Sequence, residues 1–125
     1  MHSVVETPTY LRSARSAGMT PDEMLEAVRI FSETPTAGAL IEGTGGARKV
    51  RLARRGKGKS GGYRIITYYA AADIPVFLLD VYAKGTKVNV SKSERNELKE
   101  LLGGLAKDYR ESVHGMAQRR KGRGQ

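Results

Sequence analysis

The segment from Gly43 to Ala72 carries eight basic residues and no acidic one: Arg48, Lys49, Arg51, Arg54, Arg55, Lys57, Lys59 and Arg64. Lysine, arginine and tyrosine, with little else reactive nearby, suit one reaction: cleavage of RNA by attack of a 2′-hydroxyl on the adjacent phosphate. That reaction needs a group to take the 2′ proton, cations to hold the charge on phosphorus, and an acid for the leaving 5′ oxygen. A lysine crowded by other cations gives up its proton more readily, because each neighbouring charge disfavours protonation; it can then serve in proton transfer. Arginine stays charged and can grip two phosphate oxygens at once. Lys49, Arg51 and Arg64, with Lys57 and Lys59 above them, are candidates to converge on one phosphate. The alternative is a row of cations along an edge that binds an RNA backbone passively. An aromatic side chain beside the cations can stack on an exposed base; Tyr68, Tyr69 and Tyr82 are either such platforms or ordinary strand packing.

The distribution of charge sharpens this reading. From Ser112 onward there are four more cations, Arg119, Arg120, Lys121 and Arg123, while the rest of the 125 residues holds ten bases against thirteen acids. A mildly acidic body thus carries a basic strip and a basic tail. Such a strip is the footprint of a partner with a phosphate backbone. On this basis Arg48, Arg54, Arg55, Lys57, Lys59 and Tyr68 are assigned to RNA contact.

Other chemistries lack material. There is no cysteine, so disulfides, thiolate-bound zinc and thiol nucleophiles are out of reach, and a bacterial-type cytoplasmic location is expected. His2 and His114 are the only histidines; no metal site or serine–histidine triad is expected, and no cofactor. Gly56-Lys57-Gly58-Lys59-Ser60-Gly61 has the letters of a dinucleotide fingerprint, but a strand pattern follows it where a helix start is required. A phosphate-binding loop ending in Gly58-Lys59-Ser60 needs glycine at the position held by Ala53. No run of residues is long and apolar enough for a membrane span, so no membrane partner is expected.

Several elements must position the cations. Ser3–Glu6 reads as a short strand. Thr7-Pro8 opens a helix that ends by Gly18, and Thr20-Pro21-Asp22-Glu23 opens a second through a capping box. The second carries Met24, Leu25, Val28 and Phe31 as its apolar stripe and stops at Thr34-Pro35. Arg48-Lys49-Val50-Arg51-Leu52 alternates, so Lys49 and Arg51 share one face of a strand and Val50 and Leu52 the other. A loop over Arg55–Gly62 leads to a strand at Tyr63–Tyr69, and a turn leads to Val76–Tyr82, whose apolar run marks a central strand. Three strands joined without a helix must be antiparallel neighbours. Ser91-Lys92-Ser93-Glu94 caps a last helix with Leu98, Leu101, Leu102, Leu105 and Tyr109 on one face. Gly103-Gly104 in its middle predicts a kink or a mobile last turn. Residues 1–112 make the domain, and 113–125 a basic tail expected to be disordered.

Three blocks together resemble a known family. Gly43-Thr44-Gly45-Gly46-x-Arg48-Lys49-x-Arg51, then Gly56-Lys57-Gly58-Lys59-x-Gly61-Gly62-x-Arg64-Ile65-Ile66, then Leu78-Leu79-x-Val81-Tyr82-Ala83-Lys84 are similar to the RelE-like toxins of bacterial type II toxin–antitoxin systems, most closely the HigB-type branch. The resemblance spans about Val4 to Leu105. It implies an α+β fold of RelE/ParE type: a small antiparallel sheet of about four strands, two N-terminal helices and a C-terminal helix. It also implies a metal-independent, ribosome-dependent mRNA endonuclease acting in the ribosomal A site, held in check by a cognate antitoxin of helix-turn-helix type. Arg64 matches the family's phosphate-gripping arginine, Lys49 and Arg51 its alternating basic pair, and Lys84 the lysine that closes the last strand. Gly85-Thr86 departs from the family pattern. No residue matches the tyrosine of RelE to which proton transfer is ascribed, and Tyr82 and Tyr68 are the substitutes at hand. A gyrase poison of ParE type and a non-catalytic RNA- or ribosome-binding module are the alternative functions.

Overall fold

The computed structural model describes residues 2–54, 58–83 and 90–123, without the side chains of residues 54, 58–61 and 114–123. In chain order the elements are β1 (Val4–Glu6), α1 (Pro8–Ala17), α2 (Pro21–Glu33), β2 (Ala39–Leu40), β3 (Ala47–Arg54), β4 (Gly58–Tyr68), β5 (Val76–Ala83) and α3 (Lys92–Arg123).

The helix starts follow the caps written in the chain. The Thr7 side chain accepts from the Tyr10 amide and Pro8 takes the first helical position. Its hydroxyl also donates to the Leu78 carbonyl at 2.7 Å, which ties the end of β1 to β5. At α2 the capping box closes in both directions: the Thr20 amide donates to Glu23 Oε1 at 2.9 Å, and the Glu23 amide to Thr20 Oγ1 at 3.1 Å. Ser91 and Glu94 do the same for α3. Each box satisfies donors that would otherwise be orphaned in the first turn.

The five strands form one mixed sheet in the order β1-β5-β4-β3-β2. This corrects the antiparallel, four-stranded expectation in two places. β1 lies parallel to β5, Val4 opposite Val76, because the α1–α2 pair carries the chain away before β5 returns beside it. β2, two residues that no periodicity reveals, pairs antiparallel with β3. The central antiparallel trio β3, β4 and β5 stands as expected.

The sheet separates two apolar clusters. On one face α1 and α2 cover Leu52, Tyr63, Ile65, Val76, Leu78 and Val81 with Tyr10, Ala14, Ala27 and Phe31. The buried line of α2 runs through Glu23, Ala27 and Phe31 rather than the expected Leu25, which is 68% exposed. On the other face Ala47, Ile66, Phe77 and Leu79 meet Val90 and Leu102, with Leu98, Leu105 and Tyr109 of α3 packed alongside. These contacts lie on both sides of Gly103-Gly104, and α3 runs as one helix through the pair and on to Arg123. The glycine penalty, about 1 kcal/mol each against alanine, is thus opposed by apolar anchors before and after it. The helix also enters the stretch for which composition predicts a tail. No described helix is long and apolar enough to cross a membrane.

The described part of the glycine- and lysine-rich stretch, Gly58–Gly62, belongs to a strand where composition predicts a loop. β4 begins at Gly58, and Arg54 pairs with Gly58. Gly62 is required there: a Cβ would stand 2.9 Å from the Leu52 carbonyl oxygen, so the close approach of β3 and β4 excludes any side chain.

Candidate functional site

Pairing places the candidate cations in a row. Arg51 of β3 is opposite Arg64 of β4, and Arg64 is opposite Tyr82 of β5. Lys49 occupies the next row, opposite Ile66. Because successive side chains alternate across a sheet, Lys49, Arg51, Arg64 and Ile66 all project to the α3 face, while Val50, Leu52, Tyr63 and Ile65 fill the cluster under α1 and α2. Arg51 is exposed, and Lys49, Arg64 and Tyr82 are half-buried.

Tyr82 reaches this face only through an irregularity. Strict alternation from Val76 and Leu78, which face α1 and α2, would send Tyr82 the same way. Between Ile66 and Thr67 the register shifts: Ile66 opposes Asp80 while Thr67 opposes Leu78, leaving Leu79 as an extra residue on β5. A bulge of this kind inverts the facing of everything beyond it. Val81 therefore joins the α1–α2 side and Tyr82 turns to the cations.

A cavity of about 340 Å³ opens here, lined by Leu40, Ile41, Glu42, Lys49, Arg64, Tyr82, Val90 and Arg95. The Gly-Thr-Gly-Gly block follows the lining residues Ile41 and Glu42 in the chain. Gly43, Gly45 and Gly46 all have positive φ, which suits residues without a Cβ. Inside the turn the buried Thr44 hydroxyl donates to the Ile41 carbonyl at 2.7 Å and accepts from the Ala47 amide at 3.0 Å. That latch holds Ile41 and Glu42 over the end of β3. Further lining comes from the start of α3, where Val90 packs into the core and the Arg95 amide donates to the Ser91 carbonyl. A second, mostly apolar cavity of about 310 Å³ adjoins it, sharing Tyr82 and Val90 and running between β5 and α3 past Ile66, Leu79, Leu98 and Leu101.

The electrostatics of Tyr82 follow from this setting. Burial raises the phenol above its ordinary value of 10, and this outweighs the lowering by the charge and hydrogen bonding of Arg64. Tyr82 is consequently a protonated phenol at neutral pH, able to donate a proton.

The remaining sequence candidates are placed as follows. Arg48 alternates away from Lys49, and its guanidinium donates to the Gly38 carbonyl at 3.2 Å, on the sheet face opposite the cavity. Tyr68 packs in the apolar cluster beneath α3, against the Gly46 turn, and does not line the cavity. Arg54 and Lys59 belong to the ends of β3 and β4, but their side chains are outside the described residues. Lys84, Arg55 and Lys57 lie outside them altogether.

Two lining residues were not found by sequence reading. Glu42 stood inside a turn-rich passage, and Arg95 inside a helix read as packing. Arg95 had one available signal, its place four residues after the cap Ser91, which fixes it on the first turn of α3.

Comparison with known proteins agrees with this architecture. The model of the RelE toxin of the RelE / RelB toxin-antitoxin system matches residues 2–121. Among solved structures, E. coli toxin RelE in the free state, in a form with two arginines replaced by alanine, superposes with a TM-score of 0.50 at 22% identity. That match covers 69% of this chain and 86% of the E. coli protein, and it is a likeness of fold. The three-block resemblance is borne out at the level of the family. Matched over nearly its whole length, with the family's sheet and helices in place, the chain belongs to the RelE toxins of toxin–antitoxin systems.

Proposed function

We propose that this toxin is a ribosome-dependent mRNA endonuclease that stops translation by cutting the message in the ribosomal A site. The observation that carries the reading is the row Arg51–Arg64–Tyr82 beside Lys49 on one face of the sheet, at a cavity wide enough for a phosphate. Cations aimed at a phosphate stabilise the negative charge that grows on its oxygens as a fifth bond forms to phosphorus.

In this reading Arg64 and Lys49 hold the non-bridging oxygens, and Arg51 holds a neighbouring phosphate of the strand. The 2′ oxygen attacks phosphorus, its proton passing to a base, and the bond from phosphorus to the 5′ oxygen breaks. Tyr82 protonates that oxygen. The products are a 2′,3′-cyclic phosphate and a 5′-hydroxyl. Glu42 is the carboxylate among the described residues that line the cavity, and a carboxylate accepts a proton at neutral pH more readily than a charged lysine; we assign it the 2′ proton. Lys84 is assigned to the catalytic set with Lys49, Arg51, Arg64 and Tyr82, and Arg54, Arg55, Lys57 and Lys59 to binding the message and ribosomal RNA. The partner that silences the toxin is an antitoxin, proposed to be of helix-turn-helix type.

Cleavage mapping on programmed ribosomes tests the proposal. Wild-type protein should cut within the A-site codon, and Arg64→Ala should bind ribosomes without cutting. Ribosome binding with no cleavage by either protein would leave a passive RNA-binding module. Growth arrest accompanied by DNA damage, with messages intact, would point to gyrase.

A further inference from the structure

We infer that Arg95 of α3 is a further phosphate-binding residue of this site, so that the cationic cavity has a helical wall as well as a sheet floor. The inference deepens the endonuclease reading and rests on it for the identity of the phosphate.

Three observations lead there. Arg95 lines the same cavity as Lys49, Arg64 and Tyr82 and comes from the helix where they come from the sheet. Its Nε is buried without a hydrogen-bond partner among the described residues. A buried guanidinium donor left unmatched is costly, and such groups usually find an acceptor. Finally, its backbone is anchored: the Arg95 amide donates to the Ser91 carbonyl at 2.9 Å, within the turn closed by the Ser91–Glu94 capping box.

A phosphate in the cavity supplies what is missing. Its oxygens are acceptors only, and the planar fork of an arginine can donate to two of them together. With Lys49 and Arg64 below and Arg95 beside it, a phosphate would be held from two directions. A row on a single flat sheet cannot provide that. The Glu42 carboxylate on the cavity rim is no substitute ligand for a phosphate, since like charges repel; it leaves three cations against one anion among the lining residues. Recognition is therefore for a phosphodiester or a phosphate ion.

The test has two arms. In the first, side-chain Nε–Hε resonances of the full chain are followed by NMR during titration with inorganic phosphate. The Arg95 resonance, assigned from Arg95→Lys, should shift along with that of Arg64. In the second, Arg95→Gln, which keeps much of the side-chain bulk and removes the charge, is assayed for message cleavage on ribosomes. Loss of a charge-assisted contact predicts a fall in kcat/KM of roughly ten- to hundredfold, with Arg95→Lys intermediate and thermal unfolding unchanged in both. An Arg95 resonance that stays still while Arg64 shifts, or Arg95→Gln cleaving like wild type while Arg64→Ala is inactive, overturns the assignment and leaves the endonuclease reading standing. If neither the wild type nor Arg64→Ala cleaves, the endonuclease reading itself falls, and the phosphate titration alone then decides whether Arg95 binds the anion.

Discussion

The two faces of the sheet are made by the same strands and have opposite characters. Toward α1 and α2, alternate residues of β3, β4 and β5 deliver Leu52, Tyr63, Ile65, Val76 and Leu78 into a cluster where Tyr10, Ala14, Ala27 and Phe31 are at most 1% exposed. Among the described residues its buried carboxylate is Glu23, whose Oε1 accepts from the Tyr63 hydroxyl at 2.9 Å and from the Thr20 amide. Toward α3 the intervening residues include Lys49, Arg51, Arg64 and Tyr82 beside the apolar Ala47, Ile66, Phe77 and Leu79, and the helix packs on only part of the surface, leaving two adjoining cavities. The helix is pinned at its far half by a bidentate contact, Arg110 to Asp73 at 2.8 Å, between exposed side chains. Both faces bury apolar side chains, and the α1–α2 face encloses the larger cluster. The other keeps polar groups within reach of solvent, where a substrate can meet them. The difference teaches that a period of two is enough to separate folding from chemistry on a single strand.

Substitutions that separate the two faces test this division. Phe31→Ala should empty a fully enclosed site and destabilise the protein by about 3–5 kcal/mol, seen as a lower urea midpoint, with cleavage per folded molecule unchanged. A large loss of activity at constant folded fraction would break the comparison. Arg64→Ala, one residue along from Tyr63 but on the other face, should do the reverse. Cleavage should fall roughly a hundred- to a thousandfold, the scale of one transition-state donor, with the urea midpoint nearly unmoved. Tyr63→Phe removes a hydrogen bond to a buried carboxylate and should cost about 1.5–3 kcal/mol, again without changing the pH profile of cleavage.

Two tyrosines sharpen the contrast through pH. Tyr10 is pushed up to about 12, chiefly by burial and further by the charge of Glu6. The folded state therefore keeps a proton that the unfolded chain loses near pH 10, and stability should fall as pH rises from about 10 to about 12. Below that window this group contributes no slope. The Tyr10 hydroxyl has no hydrogen-bond partner among the described residues, so Tyr10→Phe should abolish the alkaline slope at little or no cost at neutral pH; thermal midpoints across that range decide it. Tyr82, on the open face, is raised by burial but held back by Arg64. Removing Arg64 should move its ionisation to still higher pH, measurable by ultraviolet titration against Tyr82→Phe. An unchanged titration would mean that the guanidinium does not act on the phenol.

Much of this was legible in the chain, and for local reasons. Thr7-Pro8, Thr20–Glu23 and Ser91–Glu94 announce helix starts because a cap is satisfied within a few residues of itself. The alternation at Lys49, Val50, Arg51 and Leu52 assigned faces, because pleating is a property of any strand. Gly58–Gly62 misled, since glycine-rich composition predicts a loop, whereas here Gly62 admits the close approach of Leu52. At Gly103-Gly104 propensity acts locally, whereas the apolar anchors on either side of the pair are contacts with a distant sheet.

The sequence by itself therefore determined the helix caps, the three central strands, the shared face of Lys49 and Arg51, and the basic strip. Each depends on residues that are neighbours along the chain. Only the tertiary structure decided that β1 runs parallel beside β5, that an extra Leu79 turns Tyr82 toward Arg64, and that Glu42 and Arg95 close the cavity from a turn and a helix. Those features depend on residues far apart in sequence, and no local spacing records a meeting that the packed sheet and helix alone bring about.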